Sequence, residues 1–229
     1  MRQMTAMMWV LLAAAASGAE NVLTDKEKAE GWKLLWDGAT TEGWRSMKGP
    51  DFPEKGWEIK DGELSVIPGG GGGDIITTGI YTNFILTVDF KVAKRTNSGV
   101  KYFIDPDVDG GTAPEFQILD VEHPDMAPEA DGVKKVGALY SVFPAQDAEL
   151  RPTGEWNTLM LVCKGKGVEH WLNGKKVLAY ERGSETFRAA VATSNFKKYK
   201  TWGEAEAGHI QLQDHRSRVW FRNVKLKAL

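Results

Sequence analysis

Three stretches of this chain set polar side chains into otherwise apolar runs at a period of two. They are Pro114-Glu115-Phe116-Gln117-Ile118-Leu119-Asp120, His170-Trp171-Leu172-Asn173-Gly174 and Gly208-His209-Ile210-Gln211-Leu212-Gln213-Asp214-His215. Successive side chains of a strand point to opposite faces. Phe116 and Ile118 therefore share one face, and Glu115 and Gln117 the other. Ile210 and Leu212 likewise oppose His209, Gln211, Gln213 and His215. Such a chain builds sheets with one apolar face and one carrying carboxylate, amide and imidazole groups.

Short strand-like runs dominate the rest. They cover 32–36, 57–59, 63–67, 84–92, 99–104, 115–121, 156–164, 168–172, 175–181, 209–213 and 218–226. Asp61-Gly62 and Asn173-Gly174 separate neighbouring runs, and both dipeptides favour the positive φ of tight hairpin turns. Many short strands joined by such turns predict an all-β fold, a β-sandwich or jelly roll. Helix is scarce. Thr24 with Glu27 forms a capping box for a short helix over 24–31, and a second is expected over 185–196. No repeat and no internal linker is visible, so one domain is expected over 20–229.

Residues 1–19 have the order of a secretion signal: Arg2, the apolar run Met7 to Ala16, then Ser17-Gly18-Ala19 before Glu20. The run is too short to span a bilayer, so no membrane insertion is expected. The whole chain carries 29 basic and 31 acidic residues, a net charge of −2, and a cut before Glu20 removes only Arg2. That balance gives no reason to expect nucleic acid as a partner. Cys163 is the only cysteine. It reads as a small buried hydrophobe within the apolar run 158–163.

Two loops stand out. Gly69 to Gly73 are consecutive glycines without the Gly-Lys-Ser/Thr ending of a phosphate-binding loop, and read as a flexible turn. The acidic loop 105–113 lacks the spacing and closing Glu of an EF-hand. No metal and no other cofactor is expected.

Leu35-Trp36-Asp37-Gly38 followed by Gly43-Trp44, then Asn97-Ser98-Gly99-Val100, Glu115 to Asp120, Gly154-Glu155-Trp156-Asn157, Glu169 to Gly174, Gly208 to His215 and Val219 to Lys225 resemble, in order and spacing, the 3-keto-disaccharide hydrolase domain family. The resemblance covers nearly all of the chain after residue 19. It implies a concanavalin A-like jelly roll with a site on a concave face. It also implies a secreted protein of the periplasm or cell surface, as is common in Bacteroidota, with a carbohydrate as its partner. One departure is local: the family usually has Gly directly after the His of Gln-Asp-His, where this chain has Arg216-Ser217-Arg218.

The activity so implied is cleavage of glycosides already oxidised to a ketone at sugar carbon 3. The ketone acidifies the C2 proton. A base removes it, an enolate forms, the group at C1 leaves, and water adds to the unsaturated product. Such a site needs a base, a cation or donor at the enolate oxygen, and an acid at the leaving oxygen. Strand parity places Asp89, Lys101, Glu115, Gln117, Gln213 and His215 on polar faces that could form one concave surface. Glu115 is the expected base. Lys101 is expected to stabilise the enolate and keep Glu115 ionised, Asp89 to orient Lys101, and His215 to be the acid. Trp44 or Trp171 would stack on a pyranose face. Gln117, Gln213, Asn97 and His123 complete the expected substrate contacts. The alternative is a carbohydrate-binding β-sandwich module without catalysis, which needs aromatic and amide groups but no buried Lys/Glu pair.

Overall fold

The computed structural model describes residues 20–229; the expected leader at 1–19 lies outside the described residues. Thirteen strands follow one another: β1 (Trp32–Leu34), β2 (Trp44–Ser46), β3 (Trp57–Lys60), β4 (Glu63–Val66), β5 (Ile75–Thr77), β6 (Phe84–Val92), β7 (Asn97–Ile104), β8 (Glu115–Leu119), β9 (Trp156–Lys164), β10 (Gly167–Leu172), β11 (Lys175–Glu181), β12 (His209–Leu212) and β13 (Val219–Ala228). Two helices, α1 (Asp25–Ala29) and α2 (Glu185–Thr193), lie outside the strand layers. Thr24 and Glu27 form the expected capping box at α1.

The strands make two antiparallel sheets. One has eight strands, in the order β11-β10-β9-β6-β13-β4-β3, with β1 also paired to β13. The other has five, in the order β2-β5-β12-β7-β8. The all-β sandwich expected from the alternation is therefore the observed architecture. Both predicted hairpins form, β3–β4 at Asp61-Gly62 and β10–β11 at Asn173-Gly174, and all four turn residues have positive φ.

The core fills the space between the sheets. β6 alternates without a break: Phe84, Leu86, Val88, Phe90 and Val92 are buried, and the residues between them are not. Val100, Tyr102, Phe116, Ile118, Ile210 and Leu212 meet them from the five-stranded sheet. Each such side chain contributes about 1.5–3 kcal/mol on full burial. Cys163 belongs to this core, where burial pushes its thiol up to about 12. One polar network crosses it. Tyr102 Oη lies 2.7 Å from both His170 Nε2 and Tyr180 Oη, and His170 Nδ1 lies 2.8 Å from the Gly137 carbonyl. Burial holds the His170 imidazole down near 4, so it stays neutral.

The glycine run is not the flexible turn its composition suggests. A Cβ on Gly72 would lie 2.3 Å from the Lys55 carbonyl, and one on Gly70 2.6 Å from the Gly56 Cα. Glycine is required there because two backbones touch. The run thus delivers the chain to β5 along a fixed path, held also by the Trp57 indole bonded to the Gly73 carbonyl at 2.8 Å.

Candidate active site

The antiparallel register of the five-stranded sheet defines one row of side chains on the face turned away from the core. Arg45 on β2 opposes Ile76 on β5, Ile76 opposes Gln211 on β12, Gln211 opposes Lys101 on β7, and Lys101 opposes Glu115 on β8. Directly opposed residues share a face. The adjacent row on that face holds Gly99 opposite Gln117, with the Gln213 backbone N–H donating to the Gly99 carbonyl at 3.0 Å. Asp74 precedes β5 and joins this surface through its side chain.

Glu115 is buried, and its carboxylate lies over Gly99. A Cβ on Gly99 would be 2.1 Å from Glu115 Oε1, so the bare glycine makes the hollow that the carboxylate occupies. Lys101 Nζ stands 3.9 Å from Glu115 Oε2, an ion-pair separation beyond hydrogen-bond reach. Gln117, with its amide oriented to satisfy both ends, donates to Glu115 Oε1 at 3.1 Å and to the Ser98 carbonyl at 3.2 Å. Burial is the largest influence on the Glu115 carboxyl and raises it. The Lys101 charge opposes that, the Asp74 carboxylate adds to it, and the outcome is about 7. Lys101 acts in the expected direction, favouring the ionised carboxylate, but desolvation outweighs the ammonium.

Asp74 lies outside any alternating run, between the glycine run and the three-residue strand β5. Its Oδ2 accepts from Gln211 Nε2 at 2.7 Å and its Oδ1 from the Asp214 amide at 2.8 Å. Burial raises its carboxyl, with Lys101 the main opposing influence. Gln211 Oε1 and Gln213 Oε1 are both buried and have no hydrogen-bond partner among the described residues. A buried acceptor without a donor costs roughly 1–3 kcal/mol.

The other expected site residues are distributed unevenly. Asn97 shares the face of Gly99 and Lys101 but stands at the start of β7, opposite Leu119. His215 is exposed on the rim, beyond Asp214. His123 caps a short 3₁₀ turn, accepting from the Asp125 amide at 3.2 Å through Nδ1. Asp89 is separated from Lys101. β6 belongs to the eight-stranded sheet, and Asp89 faces outward there, accepting from Thr158 Oγ1 at 2.7 Å and Asn223 Nδ2 at 2.9 Å. Parity gives a side chain's face but not its sheet. Trp44 is a core residue, its indole bonded to the Leu35 carbonyl at 2.7 Å. Trp171 lies on β10 of the eight-stranded sheet, bonded to Glu169 at 2.8 Å with Lys176 near its ring. Trp44 belongs to the same sheet as Lys101 but turns its ring to the core face, and Trp171 belongs to the other sheet, so neither ring lies on the face of the Lys101 row and the expected stacking contacts do not form there. On the outer face of that larger sheet Lys91 sits between Trp156 and Trp220, 4.6 and 4.8 Å from their centroids, while Arg222 and Arg218 take up the same two rings. Those rings are already occupied by cations.

Among the described residues, no group of three or more His, Cys, Asp or Glu side chains is placed to hold a metal ion, and no helix is long and apolar enough to cross a membrane.

Known proteins share this fold and much of this sequence. A curated relative from Bacteroides thetaiotaomicron, named 3-keto-disaccharide hydrolase, is 33% identical over 232 residues, covering 88% of this chain and 79% of its own length. A crystal structure of a candidate glycosyl hydrolase from Parabacteroides distasonis superposes with a TM-score of 0.83 at 34% identity, over 92% of this chain and all of that one. A second from the same organism gives 0.65 at 28% identity, over 86% of this chain and 99% of that one. The profile of the 3-keto-alpha-glucoside-1,2-lyase-like domain matches residues 31–227, and the chain belongs to that family.

Proposed function

We propose that this glycoside-acting hydrolase cleaves the glycosidic bond of 3-keto-glycosides by elimination and hydration, with Glu115 as the base at C2 and Lys101 at the enolate oxygen. One observation carries the reading: a buried carboxyl poised near 7, 3.9 Å from an ammonium, in a hollow that Gly99 leaves open. A base with a pKa near the working pH combines the right protonation state with driving force for proton transfer. The C2 proton passes to Glu115 while the C2–H pair forms the enolate, and negative charge gathers on O3 beside Lys101. A fixed ammonium in a water-poor site stabilises that charge without reorganising. The enolate then returns its pair, C1=C2 forms, and the C1–O bond breaks. Water adds at C1 while Glu115 returns a proton to C2.

The relative's name and the family's description both support a 3-keto sugar as substrate. The order of charge, apolar run and small residues in 2–19 supports a site of action in the periplasm or at the cell surface. The test is product formation from a 3-keto-glucoside beside the unoxidised glucoside, in water and in D₂O. Cleavage of the keto sugar alone, with deuterium entering at C2, is the expected result. Equal cleavage of both would mean an ordinary two-carboxylate glycosidase. Binding of either sugar without cleavage would mean a carbohydrate-binding module.

A further inference from the structure

The reaction above still lacks a proton for the leaving oxygen, and the residue expected to supply it from the sequence, His215, stands exposed on the rim. The sheet offers a nearer group. β5 and β8 are three strand spacings apart, about 14 Å. The side chains at their ends reach inward. Asp74, just before β5, bonds to Gln211 on β12, and Glu115 on β8 covers Gly99 on β7. Their carboxyl groups are thus left about 5–10 Å apart, one to two strand spacings, with Gln213 and Gly99 beneath the gap and Lys101 on the row beside it.

We propose that Asp74 is the acid that protonates the leaving oxygen at C1, and the base that later receives a proton from the attacking water. The inference rests on the elimination reading above. In the bond-breaking step the C1–O pair goes to the glycosidic oxygen, which takes the proton of the Asp74 carboxyl, leaving it a carboxylate. In hydration, water attacks C1, its proton passes to Asp74, and Glu115 returns its proton to C2. The residues then stand as they began, and the net change is addition of one water across the bond.

Three features suit Asp74 to this part. It is only partly covered, unlike Glu115, so a leaving group can reach it. Each oxygen is fixed by one donor, from Gln211 and from the Asp214 amide. Burial, together with the neighbouring Asp214 carboxylate, raises its affinity for a proton, against the charges of Lys101 and His215. The Asp74 charge is also one of the influences that raise the Glu115 carboxyl, so the two carboxyl groups lie within electrostatic reach of each other.

The test is Asp74→Asn with two substrates, a methyl 3-keto-glucoside and a 4-nitrophenyl 3-keto-glucoside. The variant retains a folding-compatible bond, since Gln211 can turn its unpartnered Oε1 toward the new amide. A methoxide needs a proton to leave; a nitrophenolate does not. The expected loss in kcat/KM is about 10²- to 10⁴-fold on the methyl glycoside and under about tenfold on the nitrophenyl glycoside. Deuterium exchange at C2 of the methyl substrate should persist, because the Glu115 step is untouched. Equal losses on both substrates, or no loss on either, overturn the assignment. A wild-type enzyme inactive on both would instead overturn the elimination reading, and this inference with it.

Discussion

A Cβ placed on Gly99 would stand 2.1 Å from Oε1 of Glu115 and 2.8 Å from its Cδ. The carboxylate of one strand is seated in the space left by a missing side chain on the next. Gly99 does not have the left-handed φ that would itself require glycine. Its requirement is for room, not for backbone freedom.

Gly99→Ala should therefore fold and lose function. The clash meets the far end of a side chain, which can swing, and alanine restricts the unfolded chain, a gain of about 0.4–1 kcal/mol. Displacing the base by about 1 Å costs about 10²-fold in rate. Thermal unfolding and kcat/KM on a 3-keto-glucoside, measured side by side, would show stability held and turnover lost. Unchanged turnover would remove Glu115 from the base position.

Glu115→Gln should lower kcat/KM by about 10²- to 10⁴-fold and stabilise the fold at alkaline pH. The folded carboxyl titrates at about 7, above its ordinary 4.5. Its protonated form is thus favoured by folding, and stability is full below 4.5 and falls as pH rises through about 7. Glutamine has no charge to desolvate. The variant should gain about 1–3 kcal/mol over the wild type at pH 8 and little at pH 4. Urea titrations at the two pH values check this, and an equal difference at both would contradict it. Activity of the wild type should fall as pH drops below about 7, with Lys101, Asp74, Asp214 and His215 as the charged groups around the site.

Lys101→Met keeps the stem and deletes the charge. If the ammonium meets the developing enolate, kcat falls by about 10²- to 10³-fold with little change in KM. The acid limb of the pH profile should also move upward, because Lys101 is the influence that holds Glu115 down. A change in KM alone would make Lys101 a sugar-binding residue and return weight to a binding module.

Arg216 occupies the position where the family usually has Gly, and its φ is +61°. An L side chain in that region costs about 1–2 kcal/mol, relieved in part by the Arg216 amide bonded to Asp214 Oδ1 at 2.9 Å. Arg216→Gly should leave stability equal or higher. Arg216→Val, with a branched Cβ, should lower it by about 1–2 kcal/mol. Melting temperatures of the two variants decide the matter: a more stable valine variant would contradict the account.

Much of the sandwich is written locally. The alternation of 84–92 gave the buried and exposed faces of β6 residue by residue, and Asp61-Gly62 and Asn173-Gly174 named two hairpins by their turn chemistry. The same parity puts Glu115, Lys101, Gln117 and Gln213 on a polar face; the structure brings the first three together and pairs the Gln213 backbone with Gly99 beside them. Short strands were harder: β2 and β5 have three residues each, too few to show a period, and Asp74 was hidden with them.

The sequence alone sets which way each strand residue points, because that depends only on the pleat between neighbours in the chain. It does not set which sheet a strand joins. Asp89 and Lys101 have equivalent parities and lie on different layers; Asp74 and Glu115 are 41 positions apart and act on each other's charge across one sheet face. Pairing between distant strands decides those distances. It also decides the burial that lifts the Glu115 carboxyl to about 7, since desolvation depends on what the rest of the chain places around a group and not on the residues beside it.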